Sequence, residues 1–575
     1  MDVAPPSASV VETEVETPAP GSDIEVGEAG KTGEALPTAG APPRGSGGAS
    51  SPPDASRHGS HDPQGPPFSR TTQRLLAVAV AAVLVVAVVL RFWTSSDLWL
   101  DEALTVNIAR LPLHEIPGFL RRDGSPPLYY YLLHFWISLF GSSDLAVRSL
   151  SGVFGVITLP LVWLAGRRLG GTTLGWIALL LLASSPFAVR YDTEARMYSL
   201  VALLTVLGFL ALDRSLRQPR PGNLIAVGAV TGLLLYTHYW SLYLVGTVML
   251  WLLWEVWRGR PEWRAGARAS FVAAAVGCLT FVPWLSIFWF QTRHTGTPWA
   301  TTATFASMVS AVSSFAGGGS SSGRALALMI FALAGLGVFG IASDRRHIEL
   351  DIRTRRVTRP IAVVVLGTLA AALAGGLLAK STFDARYASV VFIPLILLVA
   401  VGVTSFLDRR VRLAVLSLAV VVGLAGAVPD VTTNRTQAGQ VAAAIATSGK
   451  PGDIVAYCPD QLGPAVDRLL PTGRYRQTTF PRRTGPAIIN WVDYTAAVKA
   501  ASAPAFADYL ESMAGSGRQI FLVWGGGYQG FGLKCEGIVQ TLQGDPHYQA
   551  QQLVTGNPVK FYQPMWMVRF TPTNP

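Results

Sequence analysis

Three short polar clusters interrupt an otherwise apolar chain, and each holds residue types suited to acid–base or phosphate chemistry. Trp99-Leu100-Asp101-Glu102-Ala103 sets two carboxylates side by side, directly after an apolar run. On a helix, adjacent positions diverge by about 100°, so one acid can face a cavity while the other holds a neighbour. Carboxylates at a bilayer edge are costly unless solvated, paired or bound to a cation. A helix start, which favours acids in its first turn, is the plain alternative. Arg190-Tyr191-Asp192-Thr193-Glu194-Ala195-Arg196-Met197-Tyr198 packs two arginines and two acids into seven residues. The planar fork of arginine suits phosphate or diphosphate; a self-paired, snorkelling cluster would look the same. Lys380-Ser381-Thr382-Phe383-Asp384-Ala385-Arg386-Tyr387 is the third cluster, and Lys380 with Arg386 could hold an anionic phosphate. His238, beside Tyr239 and Trp240, and His294, beside Arg293, add polar groups at helix ends, where histidine more often packs than reacts.

The elements that must position these residues are apolar. Half of the 575 residues are hydrophobic and only 14% are charged, with a mean hydropathy of +0.37. Such a chain places much of its surface against lipid. The net charge of +11 is unevenly spread: residues 1–68 carry ten acids against three bases, leaving about +18 for the rest. That excess lies in short clusters between apolar runs, the habit of cytoplasmic loops and not of a nucleic-acid groove. Residues 1–70, rich in Pro, Gly, Ser and Ala, read as a disordered cytoplasmic tail.

Apolar runs fall near 75–92, 145–166, 172–189, 196–214, 223–238, 239–258, 269–290, 324–342, 361–379, 387–406 and 411–428, about 11 transmembrane helices. Residues 126–140, PPLYYYLLHFWISLF, are too short and too aromatic for a span and read as an interfacial helix. Counting them as a twelfth would move nearly every basic loop to the outside, against the positive-inside bias. Eleven spans put the first outer loop, 94–144, and all three polar clusters on the outer face of the plasma membrane, with the N-terminus cytoplasmic. The region 71–428 is then a transmembrane catalytic domain. Residues 429–575 alternate strand-like runs such as DIVAYC and QIFLVWG with helical stretches, which predicts a small extracytoplasmic α/β domain. Cys458 and Cys535 both lie in it, either bridged or as two buried thiols.

The ordered series Asp101-Glu102-Ala103, Ser125-Pro126-Pro127-Leu128-Tyr129-Tyr130, Glu194-Ala195-Arg196-Met197-Tyr198 and Arg386-Tyr387 resembles the GT-C superfamily glycosyltransferases. The similar branch is the family 39-like one of protein O-mannosyltransferases, aminoarabinose transferases and rhizobial lipopolysaccharide sugar transferases, over roughly 72–428. The resemblance implies an inverting enzyme that takes sugar from a polyprenyl-phosphate donor to an acceptor hydroxyl of a cell-envelope glycan, lipid or protein. It implies Asp101 as catalytic base with Glu102 beside it, and donor phosphate held by Arg196, Arg386 and Lys380. It further implies a donor or acceptor pocket with Glu194, Tyr198, Tyr129 and His238, and two interfacial helices near 104–122 and 126–140. Gly124 and Ser125 stand where the aminoarabinose branch has an acid and a lysine. No cofactor is named by these residues, and a divalent metal is left open. Besides donor and acceptor the partners expected are membrane lipid, with no nucleic acid. A transporter or lipid-linked sugar flippase is the alternative function; it would show internal repeats and midplane charges, and no clear repeat is evident.

Overall fold

The apolar runs become helices because main-chain groups in lipid must be satisfied within their own segment. The computed structural model describes residues 68–296, 300–318, 321–379, 381–515 and 517–573, so residues 1–67 of the expected tail lie outside the described residues. After α1 (Arg70–Leu90) come three short helices, α2 (Leu100–Ala109), α3 (Ile116–Asp123) and α4 (Leu128–Phe140). The chain continues through α5 (Asp144–Ala183), α6 (Pro186–Asp192), α7 (Tyr198–Arg217), α8 (Pro221–Thr237), α9 (Ser241–Arg258), α10 (Pro261–Leu279) and α11 (Leu285–His294). Then follow α12 (Phe305–Ser313), α13 (Ser321–Phe339), α14 (Arg359–Leu378), α15 (Phe392–Thr404) and α16 (Arg409–Thr432).

Every expected span falls on one helix or on two consecutive ones. Two of them share α5, where Gly170 and Gly171 leave helical geometry (Gly171 φ 86°) and divide the 40 residues in two. Among the described residues, seven helices are long and apolar enough to cross a membrane by length and composition. The chain is a multi-pass helical membrane protein. The segment Tyr387–Thr404, containing α15, is its most enclosed span, with 83% of its most apolar stretch buried.

The first loop corrects one expectation. Instead of one helix near 104–122 there are two, α2 and α3, because Pro112 cannot continue a helix begun at Leu100, while Pro117 is tolerated in the first turn of the second. Gly124 ends α3 with φ 92°, a left-handed conformation that glycine takes without strain. A Cβ there would stand 2.9 Å from Thr295 Oγ1, so an acid at this position would be doubly disfavoured. Helix α4 has 13 residues, about 20 Å at 1.5 Å per residue, well short of a bilayer core.

The links at the two ends of the bundle differ in chemistry. At one end lie α2 to α4, the Thr193–Met197 turn, the 381–386 turn and the C-terminal domain. At the other lie arginine-rich links, where Arg168 pairs with Asp213 at 3.3 Å and Arg260 donates to the Arg356 carbonyl at 3.3 Å. A two-stranded hairpin, β1 (Gly340–Ala342) and β2 (Ile348–Leu350), sits in the longest of these links.

The C-terminal domain begins with α17 (Ala438–Ser448) and builds one sheet from β3 (Ile454–Cys458), β4 (Arg476–Thr479), β5 (Ile520–Trp524), β6 (Tyr548–Val554) and β7 (Trp566–Pro572). Strand order is β4-β3-β5-β7-β6. The first three strands run parallel, and β7 pairs antiparallel with both β5 and β6. The β3 strand is wholly buried, and Cys458 at its end is disulfide-bonded to Cys535, which decides between the two readings of this pair.

This domain is fastened to the bundle by its main chain. Trp491 N–H donates to the Arg122 carbonyl at 3.0 Å, and Asp493 N–H to the His294 carbonyl at 2.8 Å. Arg468 pairs with Asp144 at 3.1 Å. The buried Gln563 side chain accepts from Leu100 N–H at 3.3 Å and from Thr436 Oγ1 at 2.9 Å, while its amide donates to the Gln461 carbonyl at 3.1 Å.

Candidate active site

Helix α2 starts at Leu100, so Asp101 and Glu102 fall in its first turn, where acids meet the positive end of the helix dipole. They diverge as the 100° step requires. The Glu102 side chain is fully buried. Arg148 grips it with two hydrogen bonds, Nε to Oε1 at 2.7 Å and Nη2 to Oε2 at 2.6 Å, and Ala195 N–H donates to Oε1 at 3.0 Å. Burial alone would raise this carboxyl, but Arg148, with Arg435 at 3.8 Å, outweighs it and holds the group below the usual range. Glu102 thus faces the protein interior and ties α2 to α5 and to the Thr193–Met197 turn.

Asp101 faces the other way, its side chain 20% exposed. Arg386 Nη1 donates to its Oδ2 at 2.6 Å, and Arg196 Nη2 stands 4.0 Å from the same oxygen. Arg386 also pairs with Asp384 through Nε at 3.5 Å. Arg196 is held by Thr105 Oγ1 at 2.8 Å and by the Tyr130 hydroxyl at 3.4 Å, and that hydroxyl in turn donates to Asp123 at 2.9 Å. Residues 101, 196 and 386, far apart in sequence, are therefore one cluster. Arg196 Nε and the Tyr198 hydroxyl are buried with no hydrogen-bond partner among the described residues, polar capacity that a ligand could use.

Glu194, 1% exposed, forms an ion pair with Arg190 at 2.5 Å. Burial raises its carboxyl, opposed by Arg190 and reinforced by Glu102. His238 stacks within an aromatic run, 5.9 Å from the Tyr198 ring and 5.5 Å from Tyr387, and its Nδ1 accepts from Trp240 N–H at 3.2 Å. Tyr129 is buried with its hydroxyl on Ser151 at 2.9 Å. Asp192 pairs with buried Arg91 at 2.8 Å. Lys380 lies outside the described residues. Among the described residues no three His, Cys, Asp or Glu side chains converge as metal ligands.

A cavity of about 420 Å³ opens beside this cluster, lined from the bundle by Arg190, Glu194, Asp384, Arg386 and Arg435 and capped by Pro558–Tyr562 of the C-terminal domain. That size lies within the range of ligand pockets, roughly 300–1,000 Å³. Sequence reasoning missed Arg148, Arg435 and the capping loop. Arg148 had a usable signal: a single arginine inside an apolar run implies a buried partner.

A family model described as dolichyl-phosphate-mannose-protein mannosyltransferase matches residues 124–289, less than a third of the chain. No curated protein sequence matches. Among solved structures, ArnT from Cupriavidus metallidurans bound to undecaprenyl phosphate aligns with 13% identity, 87% of this chain and 98% of its own, at a TM-score of 0.53. The archaeal oligosaccharyltransferase AglB from Archaeoglobus fulgidus, in complex with an inhibitory peptide and a dolichol-phosphate, aligns with 11% identity, 88% of this chain and 75% of its own, at 0.50. The chain shares the fold of these two structures. Both alignments extend beyond the family-model match, so the likeness of fold takes in most of the chain, including the bundle that assembles Asp101, Arg196 and Arg386.

Proposed function

We propose that this protein is an inverting GT-C glycosyltransferase that moves a sugar from a polyprenyl-phosphate donor to an acceptor hydroxyl at the outer face of the plasma membrane. The observation that carries this reading is the union of Asp101, Arg386 and Arg196 in one cluster, of which Arg386 also lines the neighbouring cavity. A carboxylate within hydrogen-bond reach of the acceptor takes its proton as the hydroxyl attacks the anomeric carbon. The leaving group is a phosphate, which needs charge stabilisation and no proton, and fixed arginines supply that in a partly dehydrated site. Arg386 and Arg196 are the phosphate ligands in this reading, and Glu102 is a positioning residue that aims α2. A single exposed carboxylate in the pair suits inversion, whereas retention would require a second carboxylate as nucleophile about 5–5.5 Å away.

The outer-face assignment draws on two features. The arginine-rich links gather at the end of the bundle away from Asp101, as the positive-inside bias expects of the cytoplasmic side. The Cys458–Cys535 bridge on the Asp101 side suits an oxidising compartment. The test is transfer of radiolabelled sugar from a panel of polyprenyl-phosphate donors by wild type and Asp101→Asn. Loss of about 10²–10⁴-fold is expected for a missing general base, with thermal stability retained. Equal activity in the two proteins overturns the assignment.

A further inference from the structure

A second cavity, of about 330 Å³, lies toward the end of the bundle away from Asp101 and is lined by α7, α8, α9, α10 and α14. It runs along α7 from Arg217 to Thr205, about 18 Å at 1.5 Å per residue. The shaft is apolar, walled by Leu212 on α7, Val230 on α8, Val248 on α9 and Val364 on α14. Thr205 and Thr231 also line it, but their hydroxyls donate to their own helices, to the Val201 and Val227 carbonyls at 2.8 Å. A sugar or nucleotide would leave its polar groups unmet there, whereas a hydrocarbon chain gives up nothing by entering.

One end of the shaft is basic. Arg168, Arg217, Arg260 and Arg356 stand there with Asp213 as the acid among them. Asp213 is shared by Arg168 at 3.3 Å and Arg217 at 3.0 Å. The Arg260 guanidinium donates to the Arg356 carbonyl at 3.3 Å and lies 4.1 Å from the centre of the Trp263 ring, which steadies its plane. Glu255 accepts from the Arg260 main-chain N–H at 3.3 Å and leaves the guanidinium to other partners. Among the described residues neither Arg260 nor Arg356 has a carboxylate within ion-pair distance, so the mouth carries excess positive charge.

Tryptophan marks the depth of this mouth independently. Trp254 and Trp257, on the last turns of α9, are 49% and 71% exposed. Lipid-facing tryptophan collects at the level of the headgroups. Arg260 follows Trp257 by a few residues of chain, which sets its guanidinium among lipid phosphates. A basic pocket between spans at that depth is complementary to an anionic lipid. The sugar donor does not fit here, because its phosphate is assigned to Arg386 and Arg196 at the opposite end of the bundle.

We propose that the shaft binds an anionic glycerophospholipid from the leaflet at this end, with one acyl chain along α7 and the phosphate on Arg260 and Arg356. The planar fork of arginine takes phosphate oxygens in pairs. Bound in this way, the lipid ties the α9–α10 link to the link before α14. Neither Asp101 nor the donor takes part, so the site stands whether or not the transferase reading does.

The experiment is native mass spectrometry of the full chain, purified in detergent, delipidated and titrated with phosphatidylglycerol or with phosphatidylcholine of the same acyl chains. Wild type should bind one phosphatidylglycerol about tenfold more tightly than phosphatidylcholine, the scale of one charge-assisted hydrogen bond. Arg260→Gln/Arg356→Gln should bind the two lipids alike, with its melting temperature in detergent unchanged. Val248→Phe, which fills the shaft and spares the mouth, should weaken both lipids about tenfold. Equal affinities in wild type, or a preference that survives the double substitution, overturn the site. Unchanged binding to Val248→Phe overturns the placement of the chain. Displacement of phosphatidylglycerol by an equal concentration of undecaprenyl phosphate would make this a polyprenyl-phosphate site and overturns the glycerophospholipid.

Discussion

Removing the Glu102 carboxylate tests whether it is a fastener or a reactant. In Glu102→Gln the side chain keeps its size, but the Arg148 guanidinium, 4% exposed, loses the ion that faced it at 2.6 and 2.7 Å. Its other contacts, the Ser96 carbonyl at 2.6 Å and the Asp97 carbonyl at 3.1 Å, are dipoles and cannot neutralise it. Breaking one side of a buried pair costs about 3–5 kcal/mol, because a charge is left uncompensated away from water. At roughly 2 °C per kcal/mol for a chain larger than a small domain, the melting temperature should fall by about 6–10 °C. Differential scanning fluorimetry of the purified full chain measures this. A double-mutant cycle with Arg148→Gln should return a coupling of about 2 kcal/mol, in the range for groups in direct contact. Transfer activity, corrected for the folded fraction, should remain within about tenfold of wild type. A Glu102→Gln protein that melts like wild type and is catalytically dead would refute the reasoning and make Glu102 the base.

Two further outcomes follow from the C-terminal domain. Asp460 is buried beneath the Tyr494 hydroxyl, and burial raises its pKa from 3.8 to about 7. The folded domain thus holds this proton more tightly than the unfolded chain. The corresponding stability is whole below about pH 4 and is lost as pH rises through about 7, up to about 4 kcal/mol for three units. Asp460→Asn should flatten the decline in melting temperature between pH 4.5 and 8; parallel curves for the two proteins would count against it. A membrane-impermeant maleimide should label an exposed Thr472→Cys on intact cells, and labelling only after lysis would invert the topology.

The helices were legible because hydropathy is a local property, although the expected run 172–189 crosses from α5 into α6 and 269–290 from α10 into α11. The split between α2 and α3 was legible too, had Pro112 been weighed as a breaker alongside the resemblance to a two-helix loop. Asp101, Arg196 and Arg386 could be singled out because each sits in a polar cluster at the mouth of a span. Their convergence could not be derived from spacing, since Arg386 reaches Asp101 across 285 residues of chain. Tyr129 shows what a motif leaves out. It stands in a matching motif, yet its hydroxyl is spent on Ser151 inside the helix packing. The partners of Glu102 stayed hidden for a related reason: Arg148 and Arg435 look like an isolated charge and a loop arginine until the fold sets both against one carboxylate. Tyr562 and Lys560 carry no pattern at all, being ordinary loop residues whose meaning comes from the surface beneath them.

The Gln563 contact to Leu100 has a consequence for the order in which the protein is made. The two residues are separated by 463 positions, so the helix that carries Asp101 leaves the ribosome long before the amide that holds its first turn exists. A nascent chain can have every span inserted and still lack both the fastening of α2 and the roof of the cavity. The site is then completed late, when the C-terminal region folds and closes over the first loop. Any delay in that folding, or in forming its disulfide, would leave a fully inserted but silent precursor in the membrane.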